Sequence, residues 1–108
     1  MPDEMKITSP YDDSLVDTVP YHDREAVHWI IGQASDVAPT MKKMTAHRRA
    51  RILEKTARLI EASSDDLAEL MVRECGKPLK YARGEVNRAV ETFTFAADTA
   101  RHLHGETI

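Results

Sequence analysis

The sequence predicts a mainly α-helical unit of about four helices, the last one long, behind a short N-terminal β-hairpin. Three observations carry that expectation. From Val27 onward apolar residues recur three and four positions apart, the period that gives a helix one buried face. The sharpest break in that period falls at Gly76 and Pro78, a helix stop followed by a helix start. Only the first 20 residues read differently. There, β-prone Ile7-Thr8 and Leu15 to Val19 flank the turn formers of Ser9-Pro10-Tyr11-Asp12-Asp13-Ser14.

Residues 1–20 are therefore expected to form a β-hairpin or arm. Two short strands are marginal alone, so the arm needs another sheet or a subunit to attach to. Asp23 suits the N-cap of a first helix with Val27, Ile30, Ile31, Ala34 and Ala38 on one face, and Pro39 is expected to end it. Gly32 costs this helix about 1 kcal/mol relative to alanine. Trp29 lies off the apolar stripe, placed to cover an element that this chain does not supply.

Beyond a loop from Pro39 to Met44, Thr45 caps a second helix carrying Ile52, Leu53, Ala57, Leu59 and Ile60 inward, with Glu54 and Arg58 spaced for an i,i+4 pair. Ser63-x-x-Asp66 reads as the capping signal of a third helix, with Leu67, Leu70 and Met71 inward. That helix runs to the corner at Gly76, and Pro78 occupies the first turn of the fourth. From Leu79, Ala82 and Val86 to Ala97, Ala100 and Leu103 the spacing stays helical almost to Gly105. Pro78 to His104 would span roughly 40 Å. A domain of this size has a radius of gyration of about 13 Å, so the long helix is expected to lie across something larger.

Composition narrows the function classes. A chain of 108 residues, 42% apolar and 31% charged, is one domain or a piece of one. Its net charge of -3 opposes a general affinity for nucleic acid or anionic membrane. The one basic cluster, Lys42, Lys43, His47, Arg48, Arg49 and Arg51, has no interleaved aromatic residue and reads as a solvated helix face. No apolar run approaches the roughly 18 to 20 residues of a membrane span. One cysteine rules out an internal disulfide framework, and Met1 to Lys6 lacks the layout of a secretory signal, so a cytoplasmic setting is expected.

No complete active site is expected from these residues. Cys75 sits at the end of a helix, where the dipole disfavours a thiolate, and no histidine lies in its turn. His22, His28, His47, His102 and His104 include no helical i,i+4 pair, and His102 and His104 suit the C-terminal dipole better than a metal. Gly32, Gly76, Gly84 and Gly105 cannot form a phosphate-binding loop.

Glu74-Cys75-Gly76-Lys77-Pro78-Leu79, with Ala82, Glu85 and Val86 following, closely resembles the E-x-G-K-P-x-x-x-A-x-x-E-V signature of the aldehyde dehydrogenase superfamily. Ser9-Pro10 through Val19-Pro20 is similar to that family's N-P-x-x-G-x-x-x-x-x-V-P hairpin, departing at Ser9 and Asp13, where Asn and Gly are usual. Thr45 to Ala57 looks like its R-x-x-I-L-x-x-x-A helix, and Gly105 to Ile108 like the segment that ends its helical N-terminal layer. The long helix looks most like the branch with lactaldehyde and non-phosphorylating glyceraldehyde-3-phosphate dehydrogenases.

The resemblance implies part of a larger α/β fold, with residues 1–108 the N-terminal helical segment of the cofactor-binding domain. It implies a parent that oxidises an aldehyde to an acid with NAD or NADP: a cysteine thiolate forms a thiohemiacetal, hydride leaves, and water hydrolyses the thioester. The catalytic and cofactor-binding residues lie outside this chain, and Cys75 occupies a variable signature position. Ile7, Thr8 and Glu74 map onto a structural monovalent-cation site. The implied partners are the remainder of the enzyme or a homo-oligomer, with no nucleic acid and no membrane. A small helical interaction or dimerisation module is the alternative.

Overall fold

The computed structural model describes residues 4–104; Met1 to Asp3 and the expected helix stop at Gly105 to Ile108 lie outside the described residues. Two strands, β1 (Glu4–Thr8) and β2 (Leu15–Pro20), precede four helices, α1 (Arg24–Lys43), α2 (Ala46–Ala62), α3 (Ser64–Cys75) and α4 (Leu79–His102). The strands pair antiparallel from Glu4 opposite Pro20 to Ile7 opposite Asp17, then slip so that Thr8 meets Leu15 and Val16 is the extra residue of a bulge. Side chains shape the turn between them. The Asp12 carboxylate accepts from the Ser14 N–H and hydroxyl, and the Ser9 hydroxyl accepts from the Tyr11 N–H. Asp13 takes a left-handed φ of 58°, a conformation aspartate tolerates better than most residues.

The core is built on alanine. Where α2 crosses α4, Ala50, Ala97 and Ala100 are buried with Leu53 against them; where α3 meets α4, Ala68, Ala82 and Val86 are buried with Ile60, Met71 and Val72. Side chains this small let helix backbones approach closely, and no large side chain is fully buried among the described residues. The expected inward faces shift accordingly. Ile52, Leu59, Leu67 and Leu70 remain exposed, because the crossings run through Ala57 and Ala68 beside them.

Three helix boundaries and one ion pair differ from expectation for local reasons. α1 continues through Pro39 to Lys43. A proline forfeits one hydrogen bond, to the Ser35 carbonyl, and Ser35 is exposed, where water can satisfy it. Ser63 does not cap α3 with its side chain; it closes α2 and opens α3 at once, and its backbone is committed to α2 carbonyls. Pro78 stands just outside α4 as its N-cap rather than in the first turn, with ψ of 137°. Glu54 pairs with Arg101 of α4 rather than Arg58, because α2 and α4 lie side by side. The caps at Asp23 and Thr45 form as expected, accepting from Ala26 N at 2.7 Å and Arg48 N at 3.2 Å.

α1 stands apart from this core. None of its 20 residues is buried, and Trp29 is 67% exposed. Its contact with the bundle runs through its end, where Arg49 of α2 donates to the Met41 carbonyl. The chain is correspondingly elongated, 58 × 39 × 25 Å, with a radius of gyration of 18.6 Å against about 13 Å for a compact domain of this length. No helix is long and apolar enough to cross a membrane among the described residues.

Candidate functional site

The corner between α3 and α4 gathers the chain's most specific geometry. Gly76 ends α3 at φ 65°, and its N–H donates to the Val72 carbonyl at 2.9 Å, the left-handed closure a glycine makes at least cost. A Cβ built on Gly76 would lie 2.8 Å from Cγ of Pro10, so the missing side chain is the seat of the hairpin turn. Two stretches 66 positions apart, singled out separately in the sequence, thus touch.

Lys77 crosses the corner and donates to Glu85 in the second turn of α4, with both side chains about a third exposed. That hydrogen bond holds the Glu85 carboxyl below the usual carboxylate range, against a smaller opposing effect of burial. The pair went unnoticed in the sequence because eight residues separate its members across Pro78; the cue was that α4 begins directly after the proline. Ala82 and Val86, the next apolar signature positions, are the α4 half of the buried contact with α3. Each of these residues helps to hold the corner together.

An apolar groove opens beside the corner, with Ile60, Leu67 and Met71 on one wall and Val86 and Ala89 on the other. Cys75 and Glu74 stand at its rim. Both are exposed, and no histidine or ion pair addresses either among the described residues. β1 packs against α3; in it Thr8 is exposed and Ile7 half-buried. Among the described residues no group of three His, Cys, Asp or Glu side chains is placed to hold a metal ion.

The basic cluster divides in the structure. Arg49 turns inward to the Met41 carbonyl, while His47, Arg48 and Arg51 stay exposed on α2 beside the acidic Glu54. Arg101 donates to Glu54 and, at 3.2 Å, to Asp98, and the Glu54 hydrogen bond lowers the carboxyl's pKa. Nδ1 of His102 lies 2.8 Å from the Asp98 carbonyl oxygen, the helix-end role expected of it.

The sequence profile of the aldehyde dehydrogenase family matches residues 1–108. Lactaldehyde dehydrogenase of Methanococcus aeolicus is 32% identical over 105 residues, covering 97% of this chain and 23% of that protein. Glutarate-semialdehyde dehydrogenase of Pseudomonas putida is 33% identical over 104 residues, covering 96% and 22%. The solved glyceraldehyde-3-phosphate dehydrogenase GapN of Methanocaldococcus jannaschii, complexed with NADP, superposes with a TM-score of 0.92 at 30% identity, over 100% of this chain and 24% of that one. Similarity therefore reaches both enzymes of the branch read from the long helix, and extends at like identity to a semialdehyde enzyme. The chain spans about a fifth of the length of the curated relatives it matches, 20 to 23%. The hairpin, the corner and the long helix are those of a known family, and the chain belongs to the aldehyde dehydrogenases.

Proposed function

We propose that residues 1–108 are the N-terminal helical segment of the cofactor-binding domain of an enzyme that oxidises an aldehyde to a carboxylic acid with NAD or NADP, and that the segment is structural and inactive by itself. The observation that carries this reading is α1. A 20-residue amphipathic helix with no buried residue is stable in water only when another surface covers it, and a chain spanning about a fifth of its relatives leaves room for that surface. The groups that would perform the oxidation are not among the corner residues. Cys75 is exposed at a helix C-terminus with no base beside it, where the dipole raises rather than lowers the cost of a thiolate. A cytoplasmic setting accompanies the reading, since a lone exposed thiol suits a reducing compartment.

The corner's part in this reading is assembly. Ile7 and Thr8 offer backbone oxygens and Glu74 an exposed carboxylate, a donor set that fits a hard monovalent cation. On this reading they hold sodium or potassium together with oxygens from outside the described residues. The cation would fix the arm to the corner and take no part in chemistry.

Two measurements test the proposal. The reading frame downstream of Ile108 should encode a nucleotide-binding βαβ pattern and a cysteine nucleophile; several hundred codons with neither would overturn the enzyme reading. The purified chain should reduce neither NAD+ nor NADP+ in the presence of aldehydes, and aldehyde-dependent reduction would overturn the assignment of inactivity. For the cation, replacing sodium with tetramethylammonium should lower the thermal midpoint of the full enzyme, and Glu74→Gln should remove that sensitivity.

A further inference from the structure

Nothing along the length of α1 fixes its direction. None of its residues is buried, and among the described residues no strand or helix packs along it. Two residues join it to α2, Met44 and Thr45, both extended, with ψ of 129° and 150°. Rotation about that short link would swing the whole helix. One side chain spans the joint. Arg49, at the end of the first turn of α2, donates from Nη2 to the Met41 carbonyl, which also accepts from the Met44 N–H at 3.2 Å. We propose that Met44 and Thr45 form a hinge and that Arg49 is the latch that sets the angle of α1 against the bundle.

The latch has a firm base and a fitting tip. The Arg49 backbone is held in α2, its N–H donating to the Thr45 carbonyl at 3.0 Å, and Ala50 beside it is fully buried where α2 crosses α4. The side chain is half-buried in an apolar groove of about 560 Å3, with Met41, Met44, Ile52, Leu53 and Leu103 around it. A hydrogen bond from a charged donor is stronger than a neutral one, and stronger still away from water. At the other end, the last carbonyls of a helix lack partners within it and carry the negative end of its dipole, so a guanidinium is a donor they favour. Lys42 and Lys43 of the same turn are exposed, where water and salt screen their repulsion of Arg49. No carboxylate competes. Among the described residues Arg49 takes part in no ion pair, and Glu54, the first acidic residue of α2, is held by Arg101. The restraint is nevertheless a single bond. Nε of Arg49 is buried without an acceptor, so the second bond that would lock the angle is not made. α1 is therefore held in one direction yet free to be turned when a surface covers it. The latch belongs to the chain itself and does not depend on the catalytic reading.

Electron paramagnetic resonance between two spin labels reads the angle. One label sits on Cys75, exposed at the end of α3, and the other on His28→Cys, exposed near the start of α1. A swing of about 20° at the hinge moves the far end of this roughly 30 Å helix by about 10 Å. The parent chain should give one narrow distance. Arg49→Met, which keeps the apolar stem without the donor, and Arg49→Gln, which is too short to reach the carbonyl, should each give a distribution wider by several ångströms. The far-ultraviolet helix signal and the amide protection of α2 and α4 should match the parent in at least one of the two, which separates a released α1 from an unfolded bundle. Arg48→Met, on the exposed face of α2, should leave the distance narrow. A parent distribution that is already broad, Arg49 variants that fold and keep the narrow distance, or equal broadening by Arg48→Met would overturn the proposal. Loss of the bundle in both Arg49 variants would overturn it as well, because Arg49 would then hold α2 and not α1.

Discussion

Gly76→Ala tests the corner most directly, because two separate features of the structure predict its cost. The first is backbone: at φ 65° an alanine pays the left-handed penalty of roughly 1–2 kcal/mol that glycine avoids. The second is steric. The new Cβ would stand 2.8 Å from Cγ of Pro10, where carbon atoms prefer about 3.5–4.0 Å. That Cγ belongs to a ring fixed in the hairpin turn, so it cannot rotate away, and relief requires the turn to shift. Overpacking of this kind costs about 1–3 kcal/mol. Alanine restricts the unfolded chain and returns about 0.4–1 kcal/mol, leaving a net destabilisation of about 2–4 kcal/mol.

The two contributions separate in a double-mutant cycle with Pro10→Ala, which removes Cγ and leaves only Cβ, 3.8 Å away in ordinary contact. In that background Gly76→Ala should cost only the backbone part, about 1 kcal/mol. Urea unfolding of the four proteins gives the energies. Amide exchange along the paired strands β1 and β2 reports whether the arm has lifted while α2 and α4 stay protected. Equal costs in both backgrounds would refute the contact between the turn and the corner, and a neutral Gly76→Ala would refute the left-handed closure itself.

Other expectations are simpler. Thr45→Ala should cost about 1 kcal/mol in urea unfolding because it deletes a formed cap, whereas Ser63→Ala should stay within about 0.5 kcal/mol because that side chain caps nothing. Asp13→Gly should stabilise the chain by up to about 1 kcal/mol, since release of the left-handed strain outweighs the entropy glycine adds to the unfolded state; thermal midpoints would check this. The Glu85 carboxyl is lowered in the fold, so its pairing with Lys77 contributes stability above the unfolded value of about 4.3 and loses it as pH falls through the lower folded value. Urea midpoints should therefore fall more steeply on acidification in the parent chain than in Glu85→Gln.

What the sequence made legible was what local chemistry decides. Asp23 and Thr45 announced helix starts because their side chains reach amides three residues on, and Gly76 announced a stop because only glycine is at ease there. Pro39 misled for the converse reason: a proline's effect on a helix depends on whether the freed carbonyl can be hydrated, which is a property of burial and not of sequence. Ser63-x-x-Asp66 misled because a capping signal presumes a free helix start, and here α2 had already claimed the serine's backbone. Leu67 and Leu70 read as core because large apolar residues usually are, but the α3–α4 crossing passes through Ala68, a residue too small to weigh in a periodicity. Of the two positions at which the hairpin departs from its family pattern, Ser9 and Asp13, the second has the left-handed backbone, so an aspartate there carries a local strain that the usual glycine would not.

The signature residues and α1 stand in opposite relations to the rest of the chain. Pro10 on Gly76 ties the arm to the corner, Lys77 to Glu85 ties the corner to α4, and Ala82 with Val86 ties α4 to α3, so a displacement of the hairpin turn must be absorbed by the start of the long helix. These contacts pack and pair side chains, so a motif that identifies an enzyme family can be made of residues that hold a corner together. α1 shares in none of them; Arg49 of α2 reaches it at the Met41 carbonyl near its end. Substitutions at the corner should therefore change the stability of the hairpin and α4 together, while substitutions on the exposed apolar face of α1 should leave the corner as it is. The hairpin, α3 and α4 should therefore respond as one mechanical unit, and α1, none of whose residues is buried, should respond apart from it.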